Sequence, residues 1–233
     1  PSHIGYVMMF DGAHGEVIGL ADASVITEVR TGAVSGVATD LLARKDAHHL
    51  AVIGAGAQGR SHLAAMMEVR DIQKVTVYDQ RREAAKKYQK EMEEKYKIPV
   101  MVCDSVEEAV KGAEIICTVT PSKEPYLKAE WITPGAHINA VGAFTPNTRE
   151  IESSLMAKAK LYADQVEAMK KECGEYLIPK NEGLFGEEHI TGSIGGILAG
   201  QVPGRENDTE ITLFDALGLA VEDVACGRFL CRE

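Results

Sequence analysis

Gly54, Gly56 and Gly59, at the spacing Gly-x-Gly-x-x-Gly, follow the apolar run Leu50-Ala51-Val52-Ile53 and lead into Arg60-Ser61-His62-Leu63-Ala64-Ala65, which can continue as a helix. In that setting each glycine has a task. Gly54 permits a tight turn, Gly56 lets a pyrophosphate approach the backbone, and Gly59 lets the helix pack on the strand, whose N-terminus supplies N–H donors. A second apolar run, Lys74 to Tyr78, ends in Asp79, about twenty residues after the last glycine, where an acceptor for ribose hydroxyls is expected. The chemistry is that of dinucleotide binding. Asp79 repels a 2′-phosphate and so favours NAD, whereas Arg81 and Arg82 behind it could accommodate NADP.

Ligands of a doubly wound sheet lie at the carboxyl ends of the strands, which directs attention to Thr118-Val119-Thr120-Pro121-Ser122 and to Val141 through Thr145. Thr118 and Thr120 offer hydroxyls to the ribose or nicotinamide side of the cofactor, the alternative being a turn that only caps a strand. Arg30 sits among Val29, Thr31, Gly32, Ala33 and Val34, so its guanidinium needs an anionic partner. A substrate carboxylate held in a bidentate fork is one reading, and an interdomain salt bridge is the other. His3 and His137 are candidate proton carriers; His48, His49 and His62 read as surface or packing residues.

The elements that must hold these residues alternate. Strands are predicted at 50–53, 74–79, 99–103, 114–119, 136–141 and 161–164, with helices at 58–69, 81–96, 105–111 and 153–159, which implies parallel pairing. Ahead of them, Tyr6 to Phe10 and Glu16 to Leu20 flank an Asp11-Gly12 turn, and Val25, Val29, Ala33, Val37 and Leu41 mark one face of a helix capped by Asp22 or Ser24. After the glycine-rich stretch 192–204, Ile211, Phe214, Leu217, Val221 and Val224 keep the 3.6-residue period of a helix starting at Asp208-Thr209. The expected architecture is α/β: a Rossmann-like doubly wound parallel sheet over 46–190, with a smaller α+β lobe built from both chain ends, 1–45 and 191–233.

Composition narrows the classes. A formal charge of −10 over 233 residues excludes a nucleic-acid surface, and no apolar run approaches the ~20 residues of a membrane span. With no signal-peptide pattern, a cytoplasmic location is expected. Cys103, Cys117, Cys173, Cys226 and Cys231 have no paired metal-ligand spacing and read as reduced structural thiols, so no metal is expected. The chain begins at Pro1, and the natural start is expected upstream.

Together, Arg30-Thr31-Gly32-Ala33-Val34-Ser35, Ile53 to Gln58, Pro134 to Gly142, and Glu210 to Phe214 with Gly218 to Asp223 resemble the ornithine cyclodeaminase / mu-crystallin family along essentially the whole chain. The resemblance implies a Rossmann domain for NAD or NADP, dimers formed through the second lobe, and reactions through an imine of an amino acid. It assigns Arg30 to the substrate carboxylate; Thr31, Ser2 and His3 to the cofactor; Ala57 and Gln58 to the pyrophosphate turn. Asp79 falls to the ribose, Thr118 to a cofactor contact, and Val141, followed by Gly142, to the nicotinamide side.

One departure from the family pattern bears on activity. Phe144 occupies the place where cyclodeaminases carry an aspartate, and an aryl group can neither take a proton nor orient a water, so reduction of a small imino acid is expected in preference to cyclising deamination. The resemblance also implies an N-terminal segment that supplies a substrate-contacting lysine and arginine, which is expected upstream of Pro1. Cyclodeamination of ornithine and a non-catalytic, crystallin-like role are the competing expectations.

Overall fold

In a computed structural model, described over residues 5–231, the alternating pattern becomes one eight-stranded, all-parallel sheet and a separate two-stranded hairpin. The hairpin pairs β1 (Tyr6–Phe10) antiparallel with β2 (Val17–Asp22). Helix α1 (Ala23–Leu42) follows directly, with the Asp22 carboxylate accepting from Ser24 N at 2.7 Å. Next come β3 (His49–Ile53), α2 (Ala57–Val69), β4 (Lys74–Tyr78), α3 (Arg82–Tyr96), β5 (Val100–Val102), α4 (Val106–Val110), β6 (Ile115–Thr118) and β7 (His137–Ala140). The second half holds α5 (Ser153–Lys158), β8 (Lys160–Ala163), α6 (Val166–Glu172), α7 (Gly174–Asn181), β9 (Ile190–Ser193), α8 (Ile194–Leu198), β10 (Thr212–Asp215) and α9 (Ala220–Leu230).

Strand order is β5-β4-β3-β6-β7-β10-β8-β9. The direction of winding reverses between β3 and β6, which opens a crevice at their carboxyl ends. Parallel strands need cover on both faces, and the side chains divide accordingly. Leu50, Val52, Val75, Val77, Ile115 and Cys117 pack against α2 and α3, while Ile53, Ile116, Ile138, Leu161 and Leu213 turn to the opposite face under α4 to α7. Tyr162 and Phe214 carry the first face onward to Ala38 and Leu42 of α1 and Ile194 of α8.

Three expectations change. The helix foreseen from Asp208 is instead strand β10, inserted between β7 and β8, and only residues 220–230 are helical. Burial explains it: Thr212, Leu213, Phe214 and Asp215 are all buried, which a sheet interior demands and an amphipathic helix does not. The sheet therefore runs past residue 190, where the nucleotide domain was expected to close, into β9 and β10. The apolar stripe of α1 is not its buried face. Val25, Val29 and Val37 are exposed, whereas Thr31, Gly32, Ser35, Gly36 and Thr39 point inward. Helix α2 lies too close for large side chains: a methyl on Gly32 would come within 2.8 Å of the Ser61 carbonyl oxygen.

Candidate functional site: a cleft at the switch point

The backbone at the end of β3 is held by the neighbouring strand, with Gly54 N donating to Tyr78 O at 2.8 Å. Gly54 has φ +112°, a conformation that a side chain would strain. A Cβ on Gly59 would stand 2.3 Å from the Gly54 carbonyl oxygen, so strand and helix meet at van der Waals limit, whereas the space beside Gly56 is open. Gly56 caps α2 without a side-chain hydrogen bond, leaving the first-turn amides of Ala57, Gln58 and Gly59 to face an anion. Arg60 braces the turn from behind, donating to Ala55 O at 2.6 Å and Gly56 O at 2.9 Å while pairing with Glu91.

Asp79 closes one side. Its Oδ2 accepts from Ala55 N at 2.9 Å and its Oδ1 from Arg81 N at 2.8 Å, which fixes the carboxylate beside the turn. A cavity of about 390 Å3 joins Gly54, Gly56, Asp79 and Arg81 to Thr120 and Tyr126 across the switch point. These residues fit a dinucleotide: an open glycine for the pyrophosphate, an acid for a ribose, and polar side chains beyond. A larger, open groove of about 830 Å3 runs instead over the outer faces of α1 and α2, bordered by Met92 and Lys95 of α3 and Leu198 of α8, and is lined by Val29, Ala33, Val37, Ala64 and Ala65.

The wall opposite Asp79 is built from the loops after β6 and β7. Val141 N donates to Thr118 O at 3.0 Å, and Gly142 packs so closely that a Cβ there would sit 2.1 Å from Thr120 O. Behind both loops stands Glu150, fully buried, accepting from Thr120 N, the Thr120 and Tyr126 hydroxyls and Gly142 N, with Thr118 beside it. Burial pushes its carboxyl up from the ordinary glutamate value, against these hydrogen bonds, which pull it down. Phe144, just beyond, is 53% exposed.

Arg30 stands at the same carboxyl edge, because α1 is tied to α2 there by the Ser61 hydroxyl donating to Glu28 O and Gln58 Nε2 to Thr27 O. Its Nη1 meets Glu222 Oε2 at 2.8 Å and its Nε lies 3.3 Å from Asp223 Oδ1, both on α9. The guanidinium also covers Gly218, whose N donates to Asp164 Oδ2 at 2.7 Å. Thr31 is buried on the same helix. Ser2 and His3 lie outside the described residues.

His137 is not placed as a proton carrier. It opens β7 at the amino end, is fully buried between Thr212 and Asn139, and burial drives its pKa down to about 3. Sequence reasoning also missed Tyr126, Glu150, Asp164 and the Glu222-Asp223 pair. Glu150, flanked by Arg149 and Ile151, reads locally as a surface acid, and only a donor set gathered from distant loops marks it. Among the described residues no group of three or more His, Cys, Asp or Glu could hold a metal, and no helix is long and apolar enough to cross a membrane.

Comparison with known proteins adds three likenesses and a family match. The sequence profile of the ornithine cyclodeaminase/mu-crystallin family matches residues 1–232. A Delta(1)-pyrroline-2-carboxylate reductase of Bacillus cereus is 41% identical over 227 residues, 97% of this chain and 70% of that protein. The Thermococcus litoralis Delta(1)-pyrroline-2-carboxylate reductase, solved with NADH and L-proline, superposes with a TM-score of 0.97 at 41% identity, covering 99% of this chain and 72% of the other. An archaeal alanine dehydrogenase dimer with bound NAD gives 0.93 at 37% identity, covering 99% and 71%.

Proposed function

The chain belongs to the ornithine cyclodeaminase/mu-crystallin family, and from that premise we propose that it is an NAD(P)-dependent reductase of a small cyclic or linear imino acid, with pyrroline-2-carboxylate the first substrate to test. The observation that carries this reading is the whole-chain likeness to a reductase solved with NADH and L-proline. Hydride addition to the imine carbon of pyrroline-2-carboxylate, with one proton to nitrogen, yields proline and NAD+. The bound cofactor supplies the hydride, and this chain supplies placement.

Gly54, Gly56 and the first turn of α2 would take the pyrophosphate, and Asp79 the adenosine ribose, which favours NAD over NADP. Thr118, Thr120, Val141 and Gly142 would face the nicotinamide half. Arg30 would orient the substrate carboxylate once Glu222 and Asp223 share it. An exposed aromatic ring at Phe144 has no lone pair for proton transfer, which supports reduction over cyclising deamination. Assembly as a homodimer is part of the same proposal.

The test is NADH consumption with pyrroline-2-carboxylate, followed by nicotinamide absorbance. No turnover with any ketimine, despite cofactor binding, would sink the reading. Arg30→Met is expected to raise KM for the imine about tenfold or more with NADH affinity unchanged. A fall in Tm with KM untouched would instead mark Arg30 as a link between α1 and α9.

A further inference from the structure

Glu150 gathers four donors from two loops. Its Oε1 accepts from Thr120 N at 2.8 Å, the Thr120 hydroxyl at 2.5 Å and the Tyr126 hydroxyl at 2.5 Å; its Oε2 accepts from Gly142 N at 2.9 Å. The residue is itself anchored. Glu175, also buried, accepts from Glu150 N at 2.5 Å and Ile151 N at 3.2 Å, while the Glu150 carbonyl takes Tyr126 N and Leu127 N. Nothing in the binding of a dinucleotide requires a carboxylate at this depth, and burying one is costly unless its acceptors are filled. Here the filling groups are the cleft wall.

Asp79 and the glycine turn account for the adenosine and pyrophosphate side, so the loops after β6 and β7 face the other half of the cofactor. We propose that Glu150 is a positioning residue for the nicotinamide half, strapping Thr120, Tyr126 and Gly142 into one rigid wall. It also sets the polarity of that wall. With Glu150 ionised, each hydroxyl donates its one proton to it, and the Thr120 hydroxyl also accepts from Ser122 N at 3.3 Å, so what Thr120 and Tyr126 have left for the cleft is lone pairs and not protons. The wall accepts hydrogen bonds from a ligand and offers none through these two groups, which suits the N–H2 of a carboxamide or the hydroxyls of a ribose. This inference rests on the cleft binding a nicotinamide dinucleotide.

Glu150→Gln keeps the shape but replaces an acceptor with an N–H2 donor, leaving either Gly142 N or the Thr120–Tyr126 donors facing a donor. The full chain and the variant are titrated with NADH and with ADP-ribose, which lacks the nicotinamide ring. Expected is a roughly tenfold weaker Kd for NADH, with the Kd for ADP-ribose within about twofold of the parent. Equal weakening of both, or of neither, overturns the proposal. If Glu150→Gln does not fold, Tyr126→Phe removes one donor and leaves the strap on Gly142; NADH should weaken several-fold with ADP-ribose unchanged, and any other pattern overturns it. Both arms read binding without substrate, so they decide the role of Glu150 separately from turnover of pyrroline-2-carboxylate, which decides the activity.

Discussion

His62 shows how a single residue ties stability to pH. Its ring is wholly buried between α1 and α2, Nδ1 against Gln58 O at 2.7 Å and Nε2 against the Ser35 hydroxyl at 3.0 Å, and burial lowers its pKa from 6.5 to about 4. The folded state thus refuses a proton that the unfolded chain accepts. Stability is complete above the unfolded value and is lost as pH falls from about 6.5 towards 4, by about 3 kcal/mol at most. Replacing His62 with Gln removes that proton uptake, so the stability gap between parent and variant in urea unfolding should shrink on going from pH ~7.5 to ~4.5. A gap independent of pH would refute the assignment. What is legible in the sequence is placement set by near neighbours: the strand–turn–helix that carries Gly54 to Gly59 and the strand end at Asp79 follow from a strand, a turn and a count of residues, and their part in cofactor binding is proposed. Glu150 and His137 were opaque, since burial and partners drawn from distant strands and loops decide what each can do.

At the scale of elements, the close pairing of α1 with α2 determines where Arg30, Gln58 and the first turn of α2 stand relative to one another. Gly32 faces Ser61 and Gly36 faces Ala65, the latter with room for a Cβ only at 3.2 Å. Gly32→Val should push the helices apart, costing about 1–3 kcal/mol in unfolding experiments and weakening NADH binding through the displaced turn. An unchanged unfolding midpoint would show that the helices yield freely. The strand–helix alternation from β3 to β8 was readable because continuous apolar runs and charged helices contrast strongly. The faces of α1 were not: beside Ile26, Ala38 and Leu42 its inward side carries the small and polar Thr31, Gly32, Ser35, Gly36 and Thr39, satisfied by His62 on Ser35 and Asn139 on Thr39, so hydropathy pointed the wrong way. Strand β10 was masked by Leu217 and Val221, which continue a helical period across the break at Gly218.

Over the whole molecule, several large apolar residues are left outside. Tyr6, Met8, Phe10 and Leu20 share the outer face of the hairpin and are each more than half exposed, and Val29, Val37 and Phe229 add to the uncovered surface. Faces of this kind are rarely left to water, and a two-stranded sheet is marginal without cover. If the proposed homodimer forms through this face, Met8→Lys together with Leu20→Lys should shift sedimentation equilibrium towards monomer while NADH binding persists; a parent that sediments as monomer, or an association unaltered by the two lysines, would refute that assignment. Among the described strands, β10, which bridges β7 and β8, is the last in chain order, so during synthesis β7 must wait as a bare edge until every other described strand has been made. A chain cut short before Thr212 would leave both β7 and β8 with open backbone edges, a template for pairing with other chains.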